Sequence, residues 1–441
     1  MKSVGRRQFV TTSLGAAAAV AASRGRVLSA ADRITVAVAG LGNRGTSLVR
    51  NLAPRDDVDI AYLCDVDTAR FERASEIIDA AGRPAPKRVQ DFRKILDDPE
   101  VDALVVATNI HWHALPTILA CQAGKDVYVE KPCSHNPWEG RQMIAAARKY
   151  GRVVQVGMQN RSAAYIQRAK EVFETGKLGR LHLVRVMNMN KDAMRPKAPA
   201  PVPATMDWDM WCGPGPVTPY SPGKWHLNRF DYSTGANFED AVHQLDAMRF
   251  VTGLGVPQTA IATGGVWCLK DGRDIPDTHT ATYEYPELTL LFQATLWADY
   301  IRETPSAIRD GDEFPDWLFN GTKVELFGSE GMMLLGRQGG GYQAFDLDGK
   351  LIDSSYGRNR ASHQAHMTNF LECVRSRKRP NAYIEDAFPS TLLAHLANIS
   401  YRVGNRKLEY DAETGWIRDD DEANRLMKRK GREPWVIPEE V

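Results

Sequence analysis

Short apolar runs separated by amphipathic stretches dominate the first third of the chain. Residues 33–40 (Arg-Ile-Thr-Val-Ala-Val-Ala-Gly) form a β-branched run of the length expected of a strand buried on both faces. A helix-compatible stretch follows to Leu52, then a second strand over Asp59–Asp65. The alternation continues with helices over 68–81 and 91–97, a strand over 103–107, a helix over 114–123 and a strand over 126–130. A further helix near 137–150 leads into a strand over 153–157. Strands alternating with helices at this spacing predict βαβ units, hence a doubly wound parallel sheet over 32–157.

The texture changes after residue 158. A helix is expected over 163–175, stopped by Gly176 and Gly179. Residues 195–224 are rich in proline and tryptophan and read as an ordered excursion. Strand-like runs follow or flank it at 181–189, 259–267, 278–285, 288–297, 322–328 and 331–336, joined by Gly/Asp turns without regular helices between them. That pattern predicts a large mixed or antiparallel sheet in an α+β domain, 158–441. Helices near 361–377 and 386–403 return the chain to the body.

Residues 1–31 stand outside this scheme. Five cations and no acid precede residue 32, and Arg6-Arg7 are followed by the apolar run Leu14–Ala22 and small residues around Ser29-Ala30-Ala31. These features resemble a twin-arginine export signal, so a periplasmic or otherwise exported location is expected. The run is shorter than the ~20 residues a spanning helix needs, so the mature form is expected to have no membrane span. The whole chain carries a formal charge of +1, and without the leader it is mildly acidic. Such a surface offers nothing to polyphosphate, which argues against nucleic acid as a partner. The six cysteines are scattered without a C-x-x-C, and most read as small buried hydrophobes. His111 and His113 share an H-x-H but lack the further ligands of a closed site, so no metal is expected.

Gly40-Leu41-Gly42-Asn43-Arg44-Gly45 lies between the first strand and the first helix. In that place G-x-G-x-x-G makes a tight turn, lets the backbone approach a pyrophosphate, and packs the helix closely on the strand. Unpaired N–H groups at the helix start complete the phosphate site. Asp65, 20 residues after Gly45, stands where a carboxylate binds adenosine ribose hydroxyls. With Asp67 close behind it would repel a 2′-phosphate, which favours NAD. Arg44, if it lies near the adenosine end, keeps NADP as the alternative.

Asp126-Val-Tyr-Val-Glu130-Lys131-Pro132, the glycine motif and the loop Thr108-Asn109-Ile-His-Trp-His113 together resemble the Gfo/Idh/MocA oxidoreductases. The resemblance extends to Met206-Asp-Trp-Asp-Met-Trp211, to His243 and to the Arg375–Pro380 stretch. It implies that Thr108, Asn109, His113, Glu130 and Lys131 line the cofactor site. It also implies that Lys131 reaches both nicotinamide ribose and substrate hydroxyl, holding a cation where negative charge develops. In Asn237-Phe-Glu-Asp-Ala-Val-His243, Glu239 and His243 stand at i and i+4 and share a helix face. The imidazole suits a proton acceptor. Glu239 is expected to orient that ring or bind a substrate hydroxyl, with Asp240 as a substitute. The family residue at 239 is usually aspartate, so glutamate departs from the pattern. Gln159 and Arg161 past the last parallel strand, and Trp225, His226 and Arg229 ahead of the motif, are candidates for the substrate cleft.

The reading is an NAD(P)-dependent enzyme moving a hydride between nicotinamide and a secondary alcohol of a sugar, glycoside or inositol, with a tightly held cofactor. A redox-neutral, NAD-dependent glycoside hydrolase is the first rival, and a catalytically idle sugar-binding protein the second. The resemblance further implies a homodimer or homotetramer.

Overall fold

A computed structural model describes residues 33–189, 198–223, 225–298, 301 and 303–441. The expected export segment, 1–31, lies outside them. Among the described residues no helix is long and apolar enough to cross a membrane.

The first sheet is built from β1 (Ile34–Ala39), β2 (Val58–Cys64), β3 (Lys87–Val89), β4 (Ala103–Val106), β5 (Asp126–Val129) and β6 (Val154–Val156). All its pairings are parallel, in the order β3-β2-β1-β4-β5-β6. The order reverses between β1 and β4, which opens a crevice at the carboxyl ends of those strands, where such sheets bind ligands. Helices α1 (Asn43–Leu52), α2 (Phe71–Ala80), α3 (Ala114–Gln122) and α4 (Pro137–Lys149) cover its faces. β4 and β5 are buried along their whole length; β4 is apolar throughout, and in β5 the buried Asp126 that precedes Val-Tyr-Val pairs with Arg377. The edge strand β3 was not expected, because Lys-Arg-Val carries no apolar pattern and gains its order from pairing with β2.

Past α5 (Ala164–Glu174), the second sheet comprises β7 (Leu181–Met189), β8 (Thr259–Gly265), β9 (Thr278–Tyr285), β10 (Leu288–Thr295), β11 (Thr322–Gly328), β12 (Gly331–Gly336), β13 (Tyr342–Asp346), β14 (Leu351–Ser355), β15 (Leu408–Asp411) and β16 (Trp416–Ile417). Their order is β14-β13-β12-β11-β7-β10-β9-β8-β15-β16. The β7–β10 pair is parallel and the others antiparallel, so the sheet is mixed, as expected. The long helix α6 (Ala236–Thr252) lies against it, buried along nearly all its length.

Two later helices cross the boundary between the halves. Helix α7 (Asn359–Ser376) places Met367, Phe370 and Leu371 in the core under β1 and β4, with Phe370 edge-on to Tyr128 at 5.7 Å. Helix α8 (Ile384–Arg402) packs on α4, α6 and β8. The six cysteines are unpaired; Cys268 is exposed and the others are buried.

Candidate active site

The crevice between the halves holds a cavity of about 780 Å³ that runs from the glycine turn to α6. At its start, Gly40 adopts φ +88°, and a Cβ on Gly45 would sit 1.7 Å from the Gly40 carbonyl oxygen. Only glycines permit so tight a passage from β1 into α1. Asp65 lies one residue past β2. Its carboxylate accepts from the Leu41 N–H at 2.6 Å and the Asp67 N–H at 2.9 Å, tying the second strand to the glycine turn. Burial nevertheless pushes its carboxyl above the ordinary value.

Thr108, Asn109 and His113 line the next stretch. The Thr108 hydroxyl is buried and has no hydrogen-bond partner among the described residues, as expected of a group awaiting a ligand. His113 is committed elsewhere, with ring nitrogens 2.7 Å from the Pro132 carbonyl and 3.1 Å from that of Thr108. It braces the turn carrying Lys131. A dinucleotide fits this lining: glycine turn and α1 N-terminus for the pyrophosphate, Asp65 for the ribose, Thr108 and Asn109 beyond.

Lys131 follows β5 and donates from Nζ to the Glu239 carbonyl at 2.5 Å, one helical turn ahead of His243. The two residues expected to act together therefore line the same end of the cavity. His243 is 3% exposed. Burial, and then the charges of Lys131, Arg337, His363 and Arg44, hold its pKa well below the usual imidazole value.

Several expectations need correction. Glu239 does not orient the His243 ring; its carboxylate accepts from the Ser233 hydroxyl at 2.6 Å. The imidazole instead meets the Gln338 side chain, whose Nε2 is 3.0 Å from His243 Nε2. Asp240 lines the cavity and pairs with Arg337, which also faces Glu303 at 3.2 Å. Arg44 is not near the adenosine end. It turns to Glu130 at 2.6 Å and to His363 Nδ1 at 3.0 Å, because a buried carboxylate needs a counter-charge. Burial alone would raise the Glu130 carboxyl, yet Arg44 holds it below the ordinary range.

Arg161 is not a cleft residue either. It makes a fork to Asp246 at 2.9 and 2.7 Å, both side chains being buried. Arg229 faces Asp274 at 3.4 Å, away from the cavity lining. Gln159 and His226 do line it, His226 edge-on to Trp211 at 5.2 Å. The Trp225 side chain falls outside the described residues.

Arg337, Gln338 and His363 were missed. Arg337 and Gln338 precede Gly339-Gly340-Gly341, all at positive φ, in the β12–β13 turn. A triple glycine next to two polar residues signals a tight turn, but not the cleft it enters.

The excursion after residue 198 roofs the other end. Asp207 N–H donates to the Val66 carbonyl at 2.9 Å and Thr68 N–H to that of Thr205 at 2.8 Å, so this segment straps the tip of β2. Trp208 and Trp211 stack at 4.5 Å behind it and line the cavity. Arg432 near the carboxyl end grips the strap through Asp209, Gly213 and Gly215.

Comparison with known proteins agrees with the two-part fold. Residues 34–158 match the model described as oxidoreductase family, NAD-binding Rossmann fold, and 325–437 that of the family's C-terminal alpha/beta domain; together they span over half the chain. Myo-inositol 2-dehydrogenase of Thermotoga maritima is 24% identical over 83% of this chain and 95% of its own length. A glycosyl hydrolase family 109 protein of Stenotrophomonas maltophilia is 33% identical, over 28% of this chain and 29% of its own. A levoglucosan dehydrogenase structure, in complex with NADH and levoglucosan, superposes with a TM-score of 0.65 at 17% identity, covering 86% of this chain and 99% of that one.

Proposed function

Because the chain belongs to the Gfo/Idh/MocA oxidoreductases, a family with an NAD-binding Rossmann fold, we propose that it oxidises a secondary alcohol of a sugar, glycoside or inositol reversibly. The observation that carries this reading is the convergence of Lys131 and His243 at one end of the dinucleotide-shaped crevice. When bound, the nicotinamide supplies the hydride acceptor. His243 takes the hydroxyl proton, and the Lys131 ammonium stabilises the oxygen as it becomes negative. Asp240, held by Arg337, offers carboxylate oxygens to neighbouring hydroxyls.

The low pKa of His243 sets the direction of its pH response. A base must be unprotonated, so alcohol oxidation should persist below the ordinary imidazole midpoint of ~6.5. Replacing His243 with glutamine should lower turnover by about 10²–10³-fold. Steady-state rates on a panel of inositols, aldoses and glycosides, followed by nicotinamide absorbance, check both points. A variant as active as the parent would sink the proposed role.

The strap over the tip of β2 supports a cofactor held through turnover, and with it the reading of a folded, loaded protein exported by a twin-arginine-type segment. Denaturing the purified protein without added cofactor should release NAD into the supernatant. An empty supernatant overturns tight binding.

The likeness to glycosyl hydrolase family 109 favours a second reading, redox-neutral glycoside hydrolysis. Aglycone release from aryl glycosides with no net change in nicotinamide absorbance would establish it over net oxidation.

A further inference from the structure

Resting on the NAD site and the cofactor retention proposed above, we infer that Arg432 is a positioning residue for the bound dinucleotide. It clamps the strap of residues 205–215 across the crevice and so governs how fast the cofactor leaves. The strap is tied on both sides of that crevice. On one side residues 205–207 bond to the tip of β2 at Val66 and Thr68, beside Asp65. On the other, the carbonyls of Met210 and Trp211 accept from Trp112 Nε1 at 3.0 and 3.1 Å, and His111 Nε2 lies 2.9 Å from the Trp211 carbonyl. Between these ties Met206, Trp208, Met210 and Trp211 line the cavity. A dinucleotide seated between Asp65 and Asn109 is covered by this span, so its release is eased whenever a tie opens.

The strap needs a clamp because little in it is self-supporting. Residues 201–205 are exposed, and the helix Trp208–Cys212 is too short to satisfy its own last carbonyls. Arg432 supplies donors there. Its Nε donates to the carbonyls of Gly213 and Gly215 at 2.9 and 3.2 Å, and its Nη2 to that of Asp209 at 2.7 Å. Nη1 adds the Asp209 carboxylate at 2.8 Å, but that carboxylate is exposed and the pairing contributes little. The carbonyls carry the grip, since one charged, planar fork meets three of them at once.

Arg432 is itself held to the Rossmann half. Three residues earlier, Arg429 pairs with the buried Glu139 of α4 at 2.6 Å and donates to the His111 carbonyl at 2.6 Å. Three residues later, the buried Trp435 stands edge-on to Trp112 at 5.0 Å. The clamp therefore joins the strap to the same loop that lines the cofactor site. Gly213 completes the fit. It adopts φ +49°, and a Cβ there would sit 2.2 Å from the Trp112 ring, so only glycine lets the strap close on that ring. Lys131 and His243 line the opposite end of the cavity, so this clamp acts on retention and not on the hydride step.

The full-length protein, loaded with NADH and chased with a large excess of NAD, tests this; the decay of bound NADH fluorescence gives the dissociation rate. Arg432→Met keeps the apolar stem and removes every donor. Dissociation should then quicken by about tenfold or more, in keeping with lost hydrogen bonds to a charged group. Arg432→Lys restores the charge without the fork and should fall between the two. Gly213→Ala should quicken release with Arg432 intact. In each variant the KM for NAD should rise by a larger factor than kcat falls. A parent-like dissociation rate in Arg432→Met overturns the proposal, as does one in Arg432→Lys if the methionine variant does not fold. So does a fall in kcat with the KM for NAD unmoved. Absence of polyol turnover by the parent would sink the proposed function while the dissociation rates could still be read, so the two failures are distinguishable.

Discussion

Replacing Lys131 with methionine should lower turnover by about 10³-fold while leaving NAD bound. Methionine keeps most of the length and apolar stem but removes the ammonium. In a site screened from water, one fixed donor aimed at a developing oxyanion is worth about 10²–10³ in rate. The ammonium is anchored for that task by the Glu239 carbonyl at 2.5 Å, which ties it to the helix carrying His243. A second effect follows with a definite sign. The Lys131 charge is the largest electrostatic contribution, after burial, that keeps His243 from protonating. Its removal should raise the His243 pKa, so the acid limb of the rate profile moves to higher pH. Rates measured across the acid range, with cofactor content read separately, decide the matter. A variant within tenfold of the parent and with an unmoved acid limb would remove Lys131 from the mechanism.

Arg161→Ala is expected to act on stability, by about 3–5 kcal/mol, because it strands a buried carboxylate. Asp246 is completely buried, and Arg161 grips it with two parallel hydrogen bonds while also reaching the Asp386 carbonyl. Ser390 donates a third hydrogen bond to Asp246 at 2.7 Å, which cannot replace the lost charge. The denaturant midpoint of the variant should fall sharply, with affinity for NAD unchanged in the fraction that stays folded. An unaltered midpoint together with weakened substrate affinity would return Arg161 to the cleft.

These two residues show where local reasoning succeeds and where it stops. Lys131 was singled out by the family resemblance of Glu-Lys-Pro, and its place at the carboxyl edge of a parallel sheet depends only on the strand it follows. Arg161 sits just past such an edge too, but its direction is chosen by Asp246, 85 positions away. Arg44 shows the same dependence, since Glu130 lies 86 positions on. Nothing in the glycine motif says which way the arginine within it will turn. β3 and β14 were hidden for a related reason, because their polar sequences take order from a neighbouring ladder rather than from a pattern of their own.

The family resemblance marked Lys131 and His243 as candidates; what the chain itself determined was the strand–helix alternation and the glycine turn with Asp65 behind it. Each depends on periodicity or steric demands within a few neighbouring residues. Only the tertiary structure decided that Gln338, rather than Glu239, meets the imidazole, that Arg44 and Arg161 neutralise buried carboxylates, and that residues 205–207 strap the tip of β2. Those choices come from desolvated charges and hydrogen-bonding groups finding partners across the fold, and distance along the chain carries no information about which partner will be nearest.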